Sequence, residues 1–137
     1  MIPYPSIITY TAKSINFNSA NTDTGVALTN FPTWATRFQI NNVVVSNPTG
    51  TLTTASAGVF TSTSAGGGTL CVNQTLTVSN TLDATTNNSE ALATNNSATT
   101  SYVLASLPHT PTIYVRVGTA QGSAAAADVT LIIRLLP

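Results

Sequence analysis

Charge is what this chain has least of. Its 137 residues carry four Lys or Arg and four Asp or Glu, 6% of the sequence, with a formal net charge of zero. An average soluble domain carries about 25% charged residues. The cations are Lys13, Arg37, Arg116 and Arg134, and the acids are Asp23, Asp83, Glu90 and Asp128. Four scattered cations cannot form the patch that displaces counterions from phosphates, so nucleic acid is excluded as a partner. The acids lack the alternating spacing of a calcium loop, and one histidine with one cysteine assembles no zinc set. A single cysteine, Cys71, also excludes an internal disulfide.

Long apolar runs are missing as well. The start, MIPYPSIITYTAKS, has neither a basic segment nor a continuous apolar stretch and reads as having no signal peptide. Near the end, VTLIIRLLP is interrupted by Thr130 and Arg134 and falls far short of the ~20 residues of a membrane helix. No membrane association is expected. Nor does any stretch sustain apolar residues at helical spacing.

What fills the chain instead is Thr, roughly a fifth of all residues, with much Ser, Asn and Ala. Thr and Val favour extended backbone, because branching at Cβ stiffens χ1 and suits a pleated surface. Alternating or short apolar runs recur between turn signals. They are Ser6–Phe17, a short GVALT, Trp34–Ser46, TLTTA, GVFTST, TLCVNQTLTVS, TTSYVLASL, TIYVRV and DVTLIIRLL. In the third of these, Asn41-Asn42 marks a bulge where the facing changes. In the sixth, Val72, Leu76 and Val78 are the apolar positions. Residues 80–96 read either as a loop with a short strand at EALAT or as one helical turn after Asn88. NPTG (Asn47–Gly50) is a turn, Pro48 presetting φ, and Gly66-Gly67-Gly68 is a flexible connection. Eight to ten short strands with such turns every 8–12 residues or so predict an all-β, single-domain antiparallel β-sandwich, residues 6–137, behind an extended arm, residues 1–5.

Little in this pattern carries chemistry. His109 lies in a turn between Pro108 and Thr110 and reads as a solvated residue rather than a catalytic base. Cys71, beside Leu70 and Val72 with no cationic neighbour, reads as an inert core thiol. Asp23, among Asn and Thr, is the best position for a loop-bound cation, and nothing else nominates one. GTAQGS (Gly118–Ser123) lacks the lysine and the following helix of a phosphate-binding loop; it reads as a hairpin-type connection. No catalytic residue, cofactor or metal is expected. Tyr114 is out of phase with Ile113, Val115 and Val117 and shares a face with Arg116, a pairing common at protein interfaces.

The segments TRFQINNVVVSNPTGTLTTASAGVFTSTSAGGGT and YVRVGTAQGSAAAADVTLII resemble small structural proteins of tailed phages. These are capsid decoration, or cement, proteins of β-sandwich or jelly-roll type, and the likeness runs from about Ile8 to Leu135. The resemblance implies a non-enzymatic virion component on the outer capsid surface, clamping neighbouring major capsid subunits. It also implies a homo-oligomer, a trimer or a dimer with the trimer slightly favoured, made in the host cytoplasm. The expected contact residues are the apolar termini, Met1, Ile2, Pro3, Tyr4 and Pro5 with Leu135, Leu136 and Pro137, together with Tyr114 and Arg116. The alternative is a receptor- or glycan-binding module of a phage fibre or tail, stacking sugars on Tyr4, Tyr10, Trp34, Tyr102 or Tyr114.

Overall fold

The computed structural model describes residues 7–81, 87–94, 102–103 and 111–137. Among them nine strands form and no helix does. They are β1 (Ile7–Asn16), β2 (Thr22–Ala27), β3 (Arg37–Ser46), β4 (Ser56–Phe60), β5 (Thr69–Thr75), β6 (Ser89–Leu92), β7 (Tyr102–Val103), β8 (Thr112–Val117) and β9 (Ala126–Leu136). One sheet runs β1-β9-β3-β6, with β7 also paired to β3, and the other runs β2-β8-β4-β5. Every strand pair is antiparallel. With β7 set aside, the strands pair from the outside inward: β1 with β9, β2 with β8, β3 with β6, and β4 with β5. That nested order, split over two packed sheets, is a jelly roll.

Alternation explains why these residues form these layers. In β9, Ala127, Val129, Leu131, Ile133 and Leu135 point inward and are buried, while Thr130, Ile132, Arg134 and Leu136 point out. In β8, Ile113, Val115 and Val117 face the same interior from the opposite sheet. In β3, Phe38 and Ile40 point inward, a register shift falls between Ile40 and Asn42, and Val43 and Val45 resume the inward face. The Asn pair thus holds the expected bulge, which keeps both halves of a long strand facing the core.

Three expectations needed correction. TLTTA forms no strand; Leu52 alone bridges Val78, its side chain fully buried. The second strand begins at Thr22, three residues ahead of the expected GVALT, because Thr22, Asp23 and Thr24 pair with Val117, Arg116 and Val115. Val72 is not an inward position: it is 54% exposed, while Leu70 and Cys71 are both buried. Two register shifts between β4 and β5 break the alternation there. Of the two readings for residues 80–96, the strand is realised, as β6.

The loops at one end lock the sandwich shut. Phe17 donates its N–H to Ala125 O, Gln121 donates to Phe17 O, and Leu76 donates to Ala55 O. The Gln121 side-chain oxygen accepts from the N–H groups of Thr54 and Ala55. At the β5–β6 edge, Gln74 imitates a strand. Its Nε2 donates to Ala93 O at 2.9 Å and its Oε1 accepts from Ala93 N at 2.8 Å. Backbone groups that the strand ladders leave over are thereby satisfied by neighbouring loops and side chains.

Candidate functional site

Several of the charged residues are built into the framework. Arg116 on β8 and Asp23 on β2 stand opposite each other on the outer face of their sheet. Nη1 of Arg116 donates to Oδ2 of Asp23 at 2.8 Å, and Nη2 donates to Oδ1 of Asn21 at 2.9 Å. Both charged side chains are nearly buried, 12% and 13% exposed. Their cover is the β4–β5 loop, residues 61–68, whose Ser64 N–H donates to the same Asp23 oxygen at 3.0 Å. From the end of β4 that bond reaches across β8 to β2, a span of about 10 Å. Phe60, at the base of this loop and paired with Tyr114, is buried yet lies outside the main core cluster. Ser64, Ala65 and Gly67 all take positive φ, the tight path a short strap needs.

A second patch of the same face is closed by Asn73. A Cβ on Gly58 would come within 2.9 Å of Asn73 Oδ1 and Cys71 O, and one on Gly118 within 2.9 Å of the Asn73 side chain. The Gly/Ala connection is therefore a packing device at Gly118. Gly122, at φ +86° with open space beside it, serves the turn itself.

Asp128 organises the other sheet. It accepts from Asn47 Nδ2 at 3.0 Å, from the Ser14 N–H at 2.9 Å and from Lys13 Nζ at 3.1 Å. These bonds, Asn47 first, then Ser14 and Lys13, hold its carboxyl down at about pKa 2 against an ordinary 3.8. The register shift in β1 falls between Ala12 and Ile15, and Ser14 sits there at φ +51°. Asp128 pins that bulge. Nothing in the sequence spacing singled it out, since its partners come from residues 13, 14 and 47.

The expected site residues separate accordingly. Tyr114 and Arg116 share an outer face, as their phase requires, but Arg116 is occupied by Asp23 and Tyr114 is half-buried. Asp23, the candidate cation ligand, already has a guanidinium on one oxygen. Its Oδ1 is buried without a hydrogen-bond partner. Leu135 is a core residue, 3% exposed, and offers a partner no surface; Leu136 is half-buried on the outer face and Pro137 is exposed. Met1, Ile2, Pro3, Tyr4, Pro5, Asp83 and His109 lie outside the described residues, as does the side chain of Tyr102.

Cys71 is fully buried, and burial pushes its thiol up to about 11 against the lowering effect of hydrogen bonds from Gln74 and Val59. Tyr10 on β1, Phe31 between β2 and β3, and Phe38 on β3 form an aromatic group. The Tyr10 and Phe31 rings meet edge to face at 6.3 Å, and the Tyr10 hydroxyl donates to Thr29 O. Trp34 and Phe31 pack against the core from the side and stay half-exposed. Among the described residues no three His, Cys, Asp or Glu side chains come together as a metal set, and no helix is long and apolar enough to cross a membrane. Compared with protein-family models, curated proteins and solved structures, the chain gives no significant match.

Proposed function

We propose that this chain is a structural virion protein, a capsid decoration protein that binds the outer surface of a phage shell and stabilises contacts between major capsid subunits. The observation that carries the reading is the use made of its few ionisable groups. Asp23 with Arg116 and Asp128 with Lys13 are joined in framework bonds, and Cys71 is packed into the core. The use of these five side chains in construction, in a jelly roll that also serves viral shells, fits an architectural role. The fold alone does not assign a function. An uncharged Thr-rich surface adds support, because it can be buried without stripping water from charges. Repeated sites on a symmetric shell then raise weak contacts to durable attachment by avidity, whether the protein acts as a trimer or a dimer.

The test is direct. Mass spectrometry and imaging of purified particles should find this protein at stoichiometric copy number on the outside of the shell. Particles that lack it should regain it when the recombinant chain is added. Absence from particles of the host phage overturns the reading. The half-exposed Phe31 and Trp34 favour a second reading, a glycan-binding module of a fibre or tail. Glycan-array binding that is lost in Trp34→Ala, together with absence from the shell, is the outcome that selects it.

A further inference from the structure

The two outer faces of the sandwich are finished differently. On the β2-β8-β4-β5 sheet the chain covers itself, with the 61–68 strap over Asp23 and Arg116 and with Asn73 over Gly58 and Gly118. No comparable cover lies on the β1-β9-β3 face among the described residues. Ile7 there is 47% exposed, and Ile132, Val44 and Leu136 project away from the core and are only half-buried. The register sets Ile132 between Thr9 and Asn42, and Val44 beside Thr130, so these two apolar groups have uncharged cross-strand neighbours.

Cations border this surface. Arg134 stands between Ile7 and Gln39, and Arg37 stands opposite Leu136, so the two guanidinium groups occupy adjacent rows. Asp128 is the one carboxylate on this face among the described residues, and Asn47, Ser14 and Lys13 already hold it. Arg37 donates to the Pro137 oxygen, and Arg134 is exposed without a carboxylate partner among the described residues. A second copy of the chain docking through this face would offer neither arginine a free carboxylate, because a two-fold contact presents the same surface twice. A two-fold contact of this face with itself is therefore poorly complementary, and a partner that presents carboxylates fits it better.

We propose that this face, centred on Ile132 and Val44 and bordered by Arg37 and Arg134, docks a protein surface that presents carboxylates around an apolar patch. Resting on the virion reading above, that surface belongs to the capsid shell. The planar guanidinium forks of Arg37 and Arg134 engage carboxylates in two-point contacts, while Ile7, Ile132, Val44 and Leu136 lose water against apolar side chains. The strapped sheet faces away from the shell.

Arginine labelling with phenylglyoxal, read by mass spectrometry, tests this on the intact chain. In the free protein Arg37 and Arg134 label, and Arg116, closed against Asp23, serves as the protected reference. On particles carrying the protein, labelling of Arg37 and Arg134 is expected to fall roughly tenfold. Particles on which both label as in the free chain overturn this face and leave the virion role intact. Particles that carry no copy overturn the virion role and the capsid partner with it. As a second arm, the Arg37→Glu/Arg134→Glu variant should keep its thermal midpoint yet be retained on particles roughly tenfold less. Val72→Glu, exposed on the other sheet, should be retained normally, and equal loss in both variants overturns the assignment.

Discussion

At the scale of single residues, Asp128 sets the acid limit of this protein. Its folded pKa, about 2, lies below the ordinary 3.8, so the carboxylate form is the one the fold binds. The stability it contributes is complete above the unfolded value and disappears as pH falls from about 4 toward 2, on the order of 2 kcal/mol in all. Asp128→Asn should therefore be less stable than the parent by about that amount at pH 7, and the gap should close near pH 2. Urea unfolding at both pH values measures it; a constant gap would show that Asp128 acts by shape alone. Glycine gives a second residue-level comparison. Gly118→Ala pushes a Cβ to 2.8 Å from Ser56 Oγ and 2.9 Å from the Asn73 side chain. A cost of about 1–3 kcal/mol is expected. Gly122→Ala meets no neighbour and costs only its left-handed backbone, about 1 kcal/mol. The reverse order in thermal midpoints would mean that the connection yields more easily than its packing suggests.

At the scale of elements, the strap over the β2-β8 pair rests on a nearly buried ion pair. Removing one partner of such a pair strands the other charge, at a cost of about 3–5 kcal/mol, whereas removing both costs far less. Arg116→Met should thus destabilise strongly, and adding Asp23→Asn should restore most of the loss in a denaturant double-mutant cycle. A loss below about 1 kcal/mol for Arg116→Met would show that the pair is solvated in the working protein. The same elements show what the sequence made legible. β8 was readable because Ile113, Val115 and Val117 alternate with Tyr114 and Arg116, and β9 because Val129, Leu131 and Ile133 recur at every second position of a β-branched run, although Ile132 breaks its polar face. β5 was readable as a strand but its facing was not, because register shifts on both sides of Val59 put Leu70 and Cys71 both inside and turn Val72 out. Partners such as Asp23 with Arg116, or Asp128 with Asn47, are 93 and 81 residues apart. No spacing rule reaches that far, and only the nested pairing brings them together. The outward apolar positions of the β1-β9-β3 face were written in Ile7, Ile132 and Val44, but the contrast with the strapped sheet shows only in the fold.

At the scale of the molecule, nested pairing ties the first described strand to the last: Ile7 faces Arg134, and β9 then joins β1 to β3. No contiguous part of the chain can close a core by itself, so the sandwich should unfold as one cooperative unit. Such long-range pairing also predicts slow folding, in the ms–s range typical of all-β sandwiches. Cys71 is the natural reporter. It lies fully buried in the core between the sheets, and Gln74 Nε2 donates to its sulfur at 3.2 Å. With the thiol pushed up to about 11, roughly one in a thousand is thiolate at pH 8 even before access is considered. Thiol labelling in native buffer should therefore be very slow and rise with urea. Where reclosing outpaces labelling, the opening free energy it yields should match that of equilibrium unfolding. Labelling with a much smaller free energy would mean that β5, the edge strand, opens alone while the rest stays folded. Agreement of the two free energies would establish the jelly roll as a single unit, with the β5–β6 clamp of Gln74 on Ala93 closing its edge.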